Sequence, residues 1–190
     1  LSEIHGNDWR NWPEKLRDPR SAATAEFAAA QTVRIEFFEW LQWTAQQQLS
    51  AAQTAAEEAG MGVGVLADLA VGVGKASAET WLMGDVYASG ITVGAPPDQY
   101  NQGGQDWGQP PWNPLRLEEL EYEPFRAMVR AALSRVGGLR IDHIIGLFRL
   151  WWVPEGLGPS AGTYVRYNHE AMVGILALEA YRAQALVVGE

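Results

Sequence analysis

Gly138-Leu139-Arg140-Ile141-Asp142-His143 is a short apolar run that ends in charge. It follows a helical pattern that stops at Gly137, and its length suits a strand over 138–142. Alternate residues of a strand share a face, so Arg140 and Asp142 project together. A guanidinium beside a carboxylate favours the anion. An ionised Asp at a strand end is what a nucleophilic or charge-stabilising carboxylate requires. The same two residues also suit a purely structural ion pair, and the pattern alone leaves both open.

Working outward, Phe125, Met128, Val129, Ala132, Leu133 and Val136 recur at helical spacing before the strand. After it, residues 147–153 are apolar and aromatic, and Trp151 and Trp152 are expected in the core. Asn168 caps a further helix, on which Met172, Ile175, Leu176 and Glu179 share a side. Residues 186–189 read as a last strand, ending in Glu190. Upstream, 62–68 reads as a strand ending in Asp68, and Ser77 caps a short helix through Leu82. Residues 21–59 predict one long helix or two, with a break near 31–34 and a stop at Gly60. Trp9, Trp12, Trp40 and Trp43 are expected to pack these N-terminal helices. Residues 88–115 hold many Gly and Pro without periodicity and read as a long loop; such loops are usually functional or disordered, and Tyr100, Trp107 and Trp112 argue for order.

The alternation of strands and helices implies βαβ units and a parallel sheet, hence an α/β fold. Three strands end in acids: Asp68, Asp142 and Glu190. In a (β/α)8 barrel all strand C-termini gather on one face, where the active site lies. Only three or four of eight strands are legible, so an incomplete TIM barrel is expected.

Composition narrows the function. The net charge is −9 over 190 residues, which argues against nucleic acid and against an anionic membrane surface. There is no Cys, so disulfides, thiolate metal sites and thiol catalysis are excluded. No stretch approaches the roughly 18–20 apolar residues of a membrane span. No spacing suggests a metal site, Gly72-Val73-Gly74 lacks the rest of a nucleotide motif, and no G-x-S-x-G elbow is present. Leu1 opens without a signal-peptide pattern, and Glu190 stops within what reads as a strand. A segment of a longer protein is therefore expected.

Two carboxylates suffice for glycosyl transfer, one attacking the anomeric carbon and one serving as acid and then base. Their pKa values must differ. Asp142 has Arg140 beside it. Glu190 follows the apolar run 186–189 with no basic neighbour, and burial there would hold it protonated. The pattern thus points to Asp142 as nucleophile and Glu190 as acid/base. Within 88–115, Asp98 sits on a Pro-Pro turn, and Gln105 and Trp107 stand among glycines. Aromatic faces pack on sugar C–H faces, while Asp and Gln bond hydroxyls. Trp107 alternatively plugs the loop onto the fold. His143 alternatively bonds a substrate hydroxyl or is a hydrogen-bonded histidine at the strand end. His5 and His169 read as surface or cap residues.

Four segments resemble the 4-α-glucanotransferases (amylomaltases) of the α-amylase clan. They are Ala67-Asp68-Leu69-Ala70-Val71; Val93-Gly94-Ala95-Pro96-Pro97-Asp98 with Gly104-Gln105-Asp106-Trp107-Gly108; residues 138–143 running into 147–152; and Val187-Val188-Gly189-Glu190. The Pro-Pro-Asp…Gly-Gln-x-Trp-Gly loop is particular to amylomaltases within that clan. The resemblance implies an incomplete (β/α)8 barrel with helical insertions and a long substrate-covering loop. Residues 1–60 would be a helical region of or inserted in the barrel, and 61–190 the partial barrel, with the covering loop at 88–115. Asp142 matches the nucleophile, Glu190 the general acid/base, and Arg140 the arginine beside the nucleophile. Asp68 matches an organising acid; Asp98, Gln105, Trp107 and His143 are expected to bind substrate. The implied reaction transfers α-1,4-glucan segments between maltooligosaccharides, without a cofactor, in the cytoplasm. A hydrolase of α-glucans and a non-catalytic glucan-binding fragment are the alternatives. The family's third carboxylate, in a Thr-His-Asp segment, has no counterpart here, so the 190 residues alone are expected to be inactive.

Overall fold

Caps and breaks divide the first 60 residues. In the computed structural model, which describes residues 1–190, two short helices α1 (Ser2–His5) and α2 (Glu14–Arg17) precede α3 (Ala22–Ala30). The Ser21 hydroxyl accepts the Thr24 N–H at 3.1 Å and so starts α3. The chain breaks at Gln31, within the expected window, and α4 (Thr32–Glu58) follows. Trp12 is buried with its ring edge-on to Trp81 at 5.5 Å, and the Trp9 indole donates to Thr80 Oγ1 at 3.1 Å. Trp40 and Trp43 depart from expectation. They are 54% and 57% exposed, because α4 buries none of its residues.

The first strand, β1 (Leu66–Leu69), is shorter than 62–68. The Val65 N–H is taken by Gln53 Oε1 at 2.7 Å, so the approach to the strand is tied to α4 instead. Ser77 caps α5 (Ala78–Leu82), its hydroxyl accepting the Thr80 N–H. Residues 88–115 are not a structureless loop. They contain β2 (Ile91–Ala95) and β3 (Gln105–Gln109), paired antiparallel. Glycine in this segment serves strand pairing. A Cβ on Gly94 would lie 1.9 Å from the Gln105 carbonyl oxygen, so Gly94 marks a close approach of two backbones rather than a loop.

Asn113 caps α6 (Pro114–Glu119), and α7 (Glu123–Leu133) leads into β4 (Gly138–Ile141). Then come β5 (Arg149–Pro154), β6 (Thr163–Arg166), α8 (His169–Ala183) and β7 (Leu186–Gly189). The strands make two sheets. One is parallel, in the order β1-β4-β7, as the alternation of elements implied; the other is antiparallel, β3-β2-β5-β6, and was not foreseen.

Leu139 and Ile141 point from the parallel sheet into a core shared with Phe125, Val129 and Leu133 of α7 and Met172 and Leu176 of α8. Burying each such side chain contributes about 1.5–3 kcal/mol. Trp152 packs against this core while half-buried. Trp151 does not join it: its indole donates to the Pro159 carbonyl at 2.9 Å and its ring meets Tyr164 edge-on. No helix is long and apolar enough to cross a membrane.

Candidate active site

Strand register builds the site. Asp68 lies opposite Arg140, and Arg140 opposite Val188, across the parallel sheet. Partners in register project to one side, and residues two further along a strand project to that side again. Asp68, Arg140, Asp142 and Glu190 therefore leave the sheet on the face opposite Leu139 and Ile141. The ladder continues past the strands proper. The Asp142 N–H donates to the Leu69 carbonyl at 3.0 Å, the Glu190 N–H to the Ile141 carbonyl at 3.1 Å, and the Ile144 N–H to the Glu190 carbonyl at 2.7 Å. Both candidate catalytic carboxylates are thus held by backbone bonds at the C-terminal ends of neighbouring strands.

Arg140 ties the acids together. Its Nη1 donates to Asp68 at 2.6 Å, its Nε to Glu190 at 2.6 Å and its Nη2 to Asp142 at 3.2 Å; Nη2 also pairs with Glu190. Bonds to Asp68 and then to Glu190 hold the guanidinium pKa above its ordinary value, so it stays charged. One expectation is corrected here. Glu190 is 69% exposed, and Arg140 is its basic neighbour, so it is neither buried nor isolated from positive charge. Its strand lies at the edge of the sheet, beside β4 alone, and its register brings it to Arg140.

His143 follows Asp142 with a left-handed backbone, φ 51°, and begins the turn Ile144–Leu147. A non-glycine residue in that conformation is uncommon and repays attention. The turn carries its ring edge-on to Trp107, 5.1 Å between centroids. Partial burial pushes the imidazole pKa down, and the Asp142 charge opposes that shift.

Trp107 comes from the antiparallel sheet. Between Val93 and Gly94 the β2–β3 register slips, with Val93 opposite Gln109 and Gly94 opposite Asp106. The extra residues on β3, at Trp107 and Gly108, form a bulge, a device that re-aims side chains. The Trp107 indole donates to Gln105 Oε1 at 2.9 Å. A cavity of about 480 Å³ results, lined by Val71, Trp107, Gln109, Asp142, His143 and Glu190. Trp107 also touches the core, so it both closes the fold and faces the cavity.

The remaining expected residues stand apart. Asp68 reaches the group through Arg140. Gln105 has its oxygen engaged by Trp107. Asp98 is turned to its own segment, its carboxylate accepting the backbone N–H groups of Tyr100 at 2.8 Å and Asn101 at 2.6 Å. Gln109 and Val71 were missed. Gln109 lies on β3 beyond the bulge, a segment whose glycines make it look like loop in the sequence, so no strand face marked it. No group of three or more His, Asp or Glu side chains is gathered as metal ligands.

Residues 1–190 match the 4-alpha-glucanotransferase family. The chain is 56% identical over its whole length to the 4-alpha-glucanotransferase of Mycobacterium tuberculosis (strain ATCC 25618 / H37Rv), covering 26% of that protein. It is 39% identical over 182 residues, 96% of the chain, to the 4-alpha-glucanotransferase of Haemophilus influenzae, again covering 26%. Among solved structures, amylomaltase from Corynebacterium glutamicum superposes with a TM-score of 0.79 at 52% identity, over 81% of this chain and 22% of that one. Amylomaltase from Streptococcus agalactiae, solved in complex with acarbose, superposes with a TM-score of 0.85 over the whole chain and 39% of its own; at 19% identity it bears on the fold alone. The chain spans about a quarter of the length of the curated relatives it matches.

Proposed function

The chain belongs to the 4-alpha-glucanotransferase family, and from that membership we propose that it is the part of an amylomaltase that carries the nucleophile and the acid/base of glucan transfer. The β1-β4-β7 sheet is then three neighbouring strands of a (β/α)8 barrel, with 61–190 the partial barrel and 1–60 its helical region. Leu66, Leu186 and Val188 support this reading. They are apolar, about half exposed, and on the face of the sheet that carries Arg140, which in a barrel is the filled interior.

The observation that carries the proposal is that Arg140 gathers Asp142 and Glu190 at adjacent strand ends. Their oxygens share one guanidinium nitrogen, which keeps them closer than the roughly 6.5–9.5 Å at which inverting enzymes seat a water. Asp142 attacks the anomeric carbon of an α-1,4-glucan, the glycosidic C–O bond breaks, and Glu190, entering the step as the carboxylic acid with a proton taken from solvent, gives that proton to the leaving oxygen. Glu190 then takes the proton of the 4-hydroxyl of a second maltooligosaccharide. That oxygen attacks the same carbon and releases Asp142. Arg140 orients Asp142 and stays charged throughout. Trp107 offers its face to a sugar ring, His143 bonds a hydroxyl, and Asp98 and Gln105 shape the covering segment. The transfer needs no cofactor, and a cytoplasmic location agrees with soluble maltooligosaccharide substrates.

Maltotriose is the test, given to the full-length enzyme that carries these residues. Longer oligomers plus glucose are expected; maltose plus glucose alone would make it a hydrolase. Asp142→Asn is expected to lower turnover on the order of 10³-fold or more, the scale of a lost covalent nucleophile. Turnover surviving that change would overturn the assignment. The 190 residues by themselves are expected to show no disproportionation.

A further inference from the structure

We infer, on the glucanotransferase reading proposed above, that Gln109 is a substrate-positioning residue, its side-chain amide bonding one particular hydroxyl of the saccharide beside Asp142 and Glu190. Three observations carry this. Gln109 lines the same cavity as both carboxylates, Trp107 and His143. Its Oε1 is buried and has no hydrogen-bond partner. Buried polar atoms in folded proteins are nearly always paired, and an unpaired one is costly, so such an atom beside a cavity calls for an explanation. A ligand that brings its own donor supplies one.

The third observation is how the amide is seated. The β3 bulge that turns Trp107 towards His143 also sets Gln109 opposite Val93, so one irregularity places both side chains. Gly72 faces the amide: a Cβ there would lie 3.2 Å from Gln109 Oε1. The absence of a side chain at 72 leaves the space that the amide occupies. The terminal torsion of a glutamine is broad and roughly two-fold, so a rotation within that space exchanges which end of the amide faces the cavity. The oxygen then accepts from a sugar hydroxyl, or the nitrogen donates to one. An uncharged amide suits a neutral sugar. It adds no charge to a site where Arg140 already holds three carboxylates.

The test uses the full-length enzyme with maltotriose and its monodeoxy analogues, each lacking one hydroxyl. Gln109→Met keeps the length of the side chain and its packing against Gly72 while removing the amide. The variant is expected to melt like the wild type and to lose about tenfold in kcat/KM on maltotriose, the scale of one neutral hydrogen bond with its desolvation. The wild type is expected to discriminate against one deoxy analogue by a similar factor, and the Met variant to be indifferent to that same deletion. A residue that merely propped up Trp107 would lower activity on every analogue equally and leave the discrimination intact, which would overturn the inference. An unchanged kcat/KM would overturn it too. If the wild type does not turn over maltotriose, the transferase reading falls and this inference with it; if it does and only the discrimination is unaltered, Gln109 alone is misassigned.

Discussion

Two ion clusters in this molecule are near inversions of each other. At the strand ends, one guanidinium, Arg140, serves three carboxylates, Asp68, Asp142 and Glu190, all of them substantially exposed. Between α7 and α8, one carboxylate, Glu179, serves two guanidiniums. It is 3% exposed, receives two bonds from Arg130 at 3.0 Å and one from Arg182 at 2.9 Å, and its pKa is pushed down chiefly by the Arg130 bonds. The second cluster joins two helices and leaves no acid over. The first leaves two acids without a cation of their own at the mouth of a cavity. On the proposed reading those two are the attacking carboxylate and the proton donor, which acts as the carboxylic acid.

The contrast breaks most sharply at the arginines. Arg140→Ala leaves three acids around an emptied position, so a Tm several degrees lower is expected at neutral pH, with a loss of the proposed transfer activity in the full-length enzyme. The distinctive mark is that stability and activity fall together, because the same guanidinium bonds all three acids. An unchanged Tm in Arg140→Ala would show that the three acids do not depend on the arginine. Glu179→Gln is the smaller change, because the half-exposed Arg130 and Arg182 are rehydrated when the charge goes. It should lower Tm without altering kcat/KM, and it should flatten the acid limb of stability. The sign follows from the direction of its shift. A carboxylate held below its ordinary value stabilises the fold above that value, and that contribution is lost as pH falls through the folded pKa. A fall in kcat/KM at unchanged Tm would reverse the assignment of the two clusters.

Legibility in the sequence divided along physical lines. The parallel sheet was readable because each of its strands is an apolar run ending in an acid, and α7 and α8 because their buried residues recur with helical period. The antiparallel sheet was not. Gly94 in β2 and Gly108 in β3 are loop signals in a sequence and close-approach or bulge positions in the structure. With β3 unread, Gln109 had no face to belong to. Asp142, Arg140 and His143 were legible together because they lie at one strand end or beside it, and Trp107 separately, as an aromatic residue among glycines. Glu190 was found in place but given the wrong surroundings. Nothing in 186–190 indicates that Arg140, 50 residues away, reaches across. Asp98 differs in another way: its Pro-Pro turn suggested display, and the turn takes one carboxylate oxygen, Oδ1, for its own backbone.

The smallest expected effect lies at the boundary of the first cluster, on His143. Partial burial lowers its pKa, and Asp142 pushes the other way. Near neutral pH the ring is therefore uncharged, able to donate from one nitrogen and accept at the other. A folded pKa below the unfolded value means the unfolded chain binds the proton first. The histidine's share of stability is thus intact above its ordinary value near 6.5 and falls away as the pH drops through the folded pKa. In Asp142→Asn the opposing charge is gone while the burial remains, so the imidazole should titrate at lower pH than in the wild type. Glu179→Gln should leave it where it was, since Glu179 belongs to the other cluster. NMR titration of the His143 ring protons in the three proteins measures this directly. An unmoved or raised value in Asp142→Asn would mean that Arg140 spends the Asp142 charge before it reaches the ring. The cluster would then be as closed to its neighbours as the one around Glu179.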